Sequence, residues 1–299
     1  MRGTGAAWLA IVASVTLLAL AGCVPNAPAP HPHVELGAPY QADGVWFYPH
    51  DSAMVTETGI ARVDPPGHPG LTADGEAYDP AAMAAAHQTL RLPAIGWVTN
   101  LANGRQVEVR INDRGPASVH AFLSLTPRAA ALLGVARNGV APVRLTLDEA
   151  ATEAARAALP GGKLAITAAP VAGVQSVALA PLAGSRVQAN APLGQAAMAG
   201  PAAAPSAPLR LGETVRQVPV RPYRFAVRLG SFSSYGPARM QSARVIWLHP
   251  SIRTVQEGRS QSYRVMLGPF TRLADADAAL DAARHAGAGD ARIVVDEGE

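Results

Sequence analysis

The sequence predicts a mainly β domain joined by a flexible linker to a small α/β domain. Three observations carry this expectation. From Tyr40 to Leu147, short alternating apolar runs are broken by turn signals, the pattern of a small sheet or barrel. From Pro160 to Pro219 the chain is rich in Ala, Pro, Gly and Gln, nearly uncharged and without sustained periodicity. After it, Leu229-Gly230-Ser231-Phe232 and Leu267-Gly268-Pro269-Phe270 repeat, each ending a strand-like run and preceding an Ala-rich, helix-like stretch. The divisions are residues 1–22, 23–44, 45–148, 149–219 and 220–299.

Residues 1–22 read as a secretory signal: Arg2, an apolar run from Ala6 to Ala21 too short to span a bilayer, and small residues before Cys23. Leu20-Ala21-Gly22-Cys23 resembles the bacterial lipobox, whose cysteine is acylated and becomes the mature N-terminus. The resemblance implies lipidation at Cys23. Val24 after it, rather than Asp, implies an outer-membrane anchor facing the periplasm. Residues 23–44 are Pro- and Ala-rich and read as an extended tether.

Cys23 is the single cysteine, so no disulfide braces either domain. Only one of the 25 basic residues is a lysine, Lys163, and a net charge of +3 is too small to argue for nucleic acid. Of the eight histidines only His31-Pro32-His33 are closely spaced, without acidic or thiol companions, so no metal is expected. The chain lacks a glycine-rich phosphate loop after a strand and a nucleophile elbow, which argues against a nucleotide cofactor and a serine hydrolase.

Within the β region, Gly70-Leu71-Thr72-Ala73-Asp74-Gly75-Glu76-Ala77-Tyr78-Asp79 precedes Ala84-Ala85-Ala86-His87. Asn103-Gly104 between Trp97-Val98-Thr99 and Val107-Glu108-Val109 signals a hairpin. Asn112-Asp113-Arg114-Gly115-Pro116 is a polar turn closing its second strand. Asp148 to Leu159 reads as a helix ended by Pro160-Gly161-Gly162.

This succession is similar to the rare lipoprotein A family of septal lytic transglycosylases, from about Gly59 to Leu147. The resemblance implies a six-stranded double-psi β-barrel that cleaves the β-1,4 bond after muramic acid, leaving a 1,6-anhydro end. It points to Glu76 and His87 as catalytic. The family's further Asp, in an Asp-Leu-Ser motif, falls on Ser124 in Phe122-Leu123-Ser124-Leu125. Asp79 or Asp113 is then the second carboxyl, with Arg114 and Ser124 at the substrate. Two more departures stand out: Ala121 where an Arg is expected, and Arg62-Val63-Asp64 where the family has Ser-Trp-Tyr. From the residues alone, Asp113-Arg114 also reads as a turn-stabilising ion pair, Asp79 as a helix cap before Pro80, and His87 as a core histidine bonded to backbone.

In the C-terminal domain, Tyr223, Phe225, Val227 and Leu229 alternate in one strand, and Tyr263, Val265 and Leu267 in another. Helices are expected near 236–248 and 273–286, further strands from Val255 and over Arg292–Val295, making a four-stranded antiparallel sheet with helices on one face. The doubled motif resembles the SPOR domain, of ferredoxin-like α/β fold, which implies binding to septal glycan strands stripped of stem peptides. Alternation turns Arg224, Arg228, Arg264 and Met266 to the open face. Arginine forks suit the free lactyl carboxylates of such strands.

The combined expectation is an endolytic transglycosylase of naked septal glycan, held in the membrane by Cys23 and working among septal division proteins. A barrel that binds glycan without cutting it, or loosens strand packing as expansins do, is the alternative.

Overall fold

The computed structural model describes residues 29–51, 56–67, 70–161, 210–257 and 260–297. The signal segment, Cys23, His68 and residues 162–209 of the expected linker lie outside the described residues. The chain opens with a hairpin, β1 (Tyr40–Ala42) and β2 (Val45–Phe47), turned at Asp43-Gly44. Both turn residues have positive φ, 50° and 71°, as a two-residue Asp-Gly loop favours.

The barrel follows: β3 (Thr56–Val63), β4 (Ala84–His87), β5 (Ala94–Asn100), β6 (Arg105–Asp113), β7 (Leu123–Leu125), helix α1 (Pro127–Leu133) and β8 (Val140–Leu147). Six strands close in the order β4-β7-β3-β8-β5-β6, with β6 returning to β4. The β3–β7 and β4–β6 pairs are parallel, the two crossings of a double-psi barrel. Alternating side chains fill the interior, with Val98, Val107, Val109, Ile111, Leu123, Leu125, Val143 and Leu145 wholly inaccessible. The expected hairpin pairs Thr99 with Gln106, and Asn103 Oδ1 accepts from the Arg105 N–H at 2.9 Å.

α1 packs Ala129, Ala130 and Leu133 into the barrel core. Thr126 caps it through Oγ1, Pro127 sits in its first turn, and Gly134 closes it at φ 74°. Residues 149–157, at the head of the expected linker segment, are helix α2 (Glu149–Ala157), in keeping with the Ala-rich reading from Asp148. Thr152 ties α2 to β5, accepting from the Ile95 N–H at 2.9 Å and donating to its carbonyl at 3.2 Å. The expected tether is also partly seated: His31 and His33 N–H groups bond the Gly75 and Asp74 carbonyls at 2.8 and 2.9 Å.

Strand β9 (Val215–Gln217) adds to the edge of β6. The second domain then runs β10 (Tyr223–Phe232), α3 (Tyr235–Arg244), β11 (Ser251–Glu257), β12 (Ser260–Phe270), α4 (Leu273–His285) and β13 (Arg292–Glu297). Its antiparallel sheet is ordered β11-β12-β10-β13. Phe225, Val227, Val265 and Leu267 are buried in one cluster with Ala238, Ala276 and Leu280 of the helices. The repeated Leu-Gly-x-Phe has a steric cause: a Cβ on Gly230 or Gly268 would lie 3.0 or 2.9 Å from the ring of Phe232 or Phe270.

The two domains are docked. Thr58 Oγ1 donates to the Val295 carbonyl at 2.7 Å and accepts from its N–H at 3.2 Å. A Cβ at Gly59 would lie 2.7 Å from the Phe122 ring and 3.1 Å from the Ile293 carbonyl. Ile60 and Ala121 of the barrel share an apolar cluster with Ile293 and Val295. Arg292 pairs with Glu57 at 2.7 Å, and His120 with Asp277 of α4 at 2.8 Å.

Candidate functional site

The Thr72–Glu76 turn is closed by Thr72 N–H to the Glu76 carbonyl at 2.8 Å, with Gly75 at φ 80°. It delivers Glu76 into the barrel wall, only 4% exposed. Arg110 of β6 donates to Oε1 from Nε at 2.9 Å and Nη2 at 2.6 Å, and Asn112 donates to Oε2 at 2.8 Å. Both oxygens are thus occupied, and the pair anchors the turn to β6. Asp74 lies beside it, fully buried. Burial first, and then the Glu76 charge, push its carboxyl up to about 7, against the pull of Thr72 and Arg110.

His87, at the end of β4, accepts from the Thr89 and Leu90 N–H groups through Nδ1 at 3.1 and 3.2 Å. That leaves the ring proton on Nε2, facing Glu57 Oε2 at 3.3 Å. Burial alone would raise Glu57, but the His87 hydrogen bond, together with the Arg292 and Arg228 charges, outweighs it and holds the carboxyl at about 2. Glu57 and His87 border a groove of about 620 Å³ between barrel and sheet. Arg228, Arg253, Arg264, Met266 and Arg292 form its other wall. Arg224 stands exposed at the start of β10, outside this lining.

Asp79 shares a smaller pocket of about 170 Å³ with Glu76 and Tyr78. Its Oδ1 accepts from the Ala81 N–H at 2.9 Å and so caps a turn, since β4 and not a helix follows. Asp113 Oδ1 accepts from the Ala73 and Arg114 N–H groups, both at 2.8 Å. The Arg114 guanidinium turns instead to backbone carbonyls, Leu36 at 2.6 Å and Leu90. It therefore pins the segment before β1 to the barrel.

Ser124 of β7 is buried and donates Oγ–H to Asp64 Oδ1. The other Asp64 oxygen accepts from the Tyr78 hydroxyl at 3.1 Å. Burial raises the Tyr78 phenol, and Asp64, Asp113 and Asp79 raise it further. The expected residues fall into two groups: Glu76, Asp79 and Asp113 around the Thr72–Tyr78 turn, and His87 in the groove facing Arg228, Arg264 and Met266. Sequence reasoning missed Glu57, Tyr78, Arg253, Arg292 and the part played by Asp64. The signal for Asp64 was its substitution for an aromatic residue; Glu57 carried none. Among the described residues, no group of three or more His, Cys, Asp or Glu is placed to hold a metal ion.

Comparison with known proteins fits this geometry. Residues 58–145 match the lytic transglycolase family, and residues 222–295 match the SPOR domain. Three relatives carry the name endolytic peptidoglycan transglycosylase RlpA. The Campylobacter jejuni protein is 44% identical over 109 residues, 36% of this chain and 40% of its own length. The Escherichia coli K12 protein is 43% identical over 101 residues, 33% and 28% of the two chains. The Pseudomonas aeruginosa PAO1 protein is 41% identical over 125 residues, 41% and 36%. The matched stretch thus spans well under half of each relative.

Proposed function

Since the chain belongs to the rare lipoprotein A (RlpA) family, with a double-psi barrel and a SPOR domain in one polypeptide, we propose that it is a peptidoglycan lytic transglycosylase acting on septal glycan strands stripped of stem peptides. The observation that carries the reading is the groove of about 620 Å³ in which His87 and Glu57 of the barrel face Arg228, Arg253, Arg264 and Arg292 of the SPOR sheet. Cations outnumber carboxylates on these walls, which suits a strand bearing a free lactyl carboxylate on every muramic acid.

Chemically, a protonated carboxyl gives its proton to the glycosidic oxygen between MurNAc and GlcNAc as the C1–O bond breaks. The muramic C6 hydroxyl attacks C1, its proton passes to the carboxylate, and a 1,6-anhydro ring forms without water. Glu76 has both oxygens engaged and His87 has Nδ1 fixed by backbone, so these two serve as anchors of the site. Asp79 and Asp113, around the Thr72–Tyr78 turn and outside that groove, are the carboxyls this reading offers for the proton work. Acylated Cys23 would hold this machinery to the outer membrane, facing the periplasm. Two chains or more are needed for durable anchorage.

A second reading, a barrel that grips glycan without cutting it, is favoured by Ser124 at the place of the family's Asp and by the engagement of Glu76. Digestion of amidase-stripped strands by the form starting at Val24, followed by mass spectrometry, separates the two. New 1,6-anhydromuramic ends support cleavage; intact strands with pull-down retained support binding alone.

A further inference from the structure

We infer that Asp64 is a catalytic carboxyl of the barrel, presented to the glycan by Ser124 and Tyr78. The inference rests on the cleavage reading above and deepens it. Asp64 is the first residue after β3, and its N–H bonds the Leu125 carbonyl at 2.8 Å; the parallel β3–β7 ladder pairs Ser124 with Arg62 and so brings the Asp64 side chain diagonally beside Ser124. Ser124 donates to one carboxylate oxygen and Tyr78, from the turn that also holds Glu76 and Asp79, donates to the other at 3.1 Å. Two hydroxyls from separate elements thus fix the orientation of one carboxyl.

Several features suit this carboxyl for proton transfer. Its two bonded partners are neutral hydroxyls, whereas Glu76 is bound by a guanidinium and an amide. A carboxyl held by neutral donors takes up and releases a proton without breaking an ion pair. Asp64 is also half-buried at the wall of a cleft of about 320 Å³, which it shares with Arg62, His120, Arg137 and Asn138. That cleft is wide enough for a sugar residue, and its two arginines suit a lactyl carboxylate beside the reacting bond. In the step, the Asp64 proton goes to the leaving oxygen as the C1–O bond breaks. The C6 hydroxyl proton returns to Asp64 as the new C1–O6 bond forms, so the enzyme ends as it began.

The test uses the full mature chain on amidase-stripped strands, scoring anhydro ends, strand pull-down and thermal unfolding together. Asp64→Asn is expected to lower anhydro-end formation at least 100-fold, on the scale of a lost acid–base group, with pull-down unchanged. Tyr78→Phe removes one of the two hydroxyls that orient the carboxyl and is expected to lower kcat with KM for the strands unchanged. Asp64→Ser combined with Ser124→Asp, which moves the carboxyl to the other member of the hydrogen-bonded pair, is expected to recover activity over Asp64→Ser alone. Asp64→Asn within threefold of an active parent overturns the inference and leaves the cleavage reading standing. Loss of activity in Asp64→Asn with no rescue by the double variant and an unchanged kcat in Tyr78→Phe also overturns it, in favour of a structural role. An inactive parent chain overturns both the inference and the cleavage reading.

Discussion

Arg110 shows at the level of one residue how the Thr-Ala-Asp-Gly-Glu block is built. Its guanidinium, Glu76 and Asp74 are all nearly inaccessible, and Arg110 and Glu76 compensate one another's charge. Arg110→Met leaves Glu76 buried without its cation and is expected to cost about 3–5 kcal/mol, read as a fall in unfolding midpoint in urea. Asp74 gives a pH dependence of definite sign. Its folded pKa lies near 7, above its ordinary 3.8, so its contribution is fully present below about pH 4 and is lost as pH rises through 7. Asp74→Asn is expected to flatten the stability curve between pH 4 and 7, as followed by thermal unfolding across buffers.

Among the elements, α1 and the two Gly-containing strands carry the clearest sequence instructions. Thr126→Ala removes the cap of α1 and is expected to cost about 1 kcal/mol. Gly268→Ala brings a Cβ to 2.9 Å from the Phe270 ring at φ 103° and is expected to cost more, with circular dichroism and chemical denaturation as the check. The same motif made the four-stranded sheet legible, since a repeat of strand, glycine and aromatic is a local pattern. The barrel was legible through ordered blocks, and α2 through the Ala-rich run after Asp148. What stayed hidden depends on distant pairing. Asp64 meets Ser124 because β3 and β7 run parallel 60 residues apart. The same holds for Arg114, whose backbone partner at Leu36 is 78 residues away. Asp43-Gly44 was a readable hairpin signal, masked by the Pro- and Ala-rich composition around it.

For the whole molecule, the seam between barrel and SPOR domain decides the behaviour. Thr58 and Val295 meet across 237 residues, a contact no composition or periodicity encodes. Glu57, held at about 2 in the docked protein, is depressed from its ordinary 4.5. Its contribution is therefore present above about pH 4.5 and is lost as pH falls through 2, amounting to about 3 kcal/mol at most. Acid titration is expected to loosen the seam over that window, and Glu57→Gln to loosen it at neutral pH, both measured by small-angle scattering as a larger radius of gyration.

Gly59 gives that seam a particular economy. The position carries no side chain, and the space it leaves is filled from one side by the Phe122 ring and from the other by the Ile293 backbone. The spacing of barrel and sheet is thus written in a single hydrogen atom. A side chain there would act as a wedge between the Phe122 ring and the Ile293 carbonyl, changing the width of the corridor shared by His87 and the arginines of the sheet.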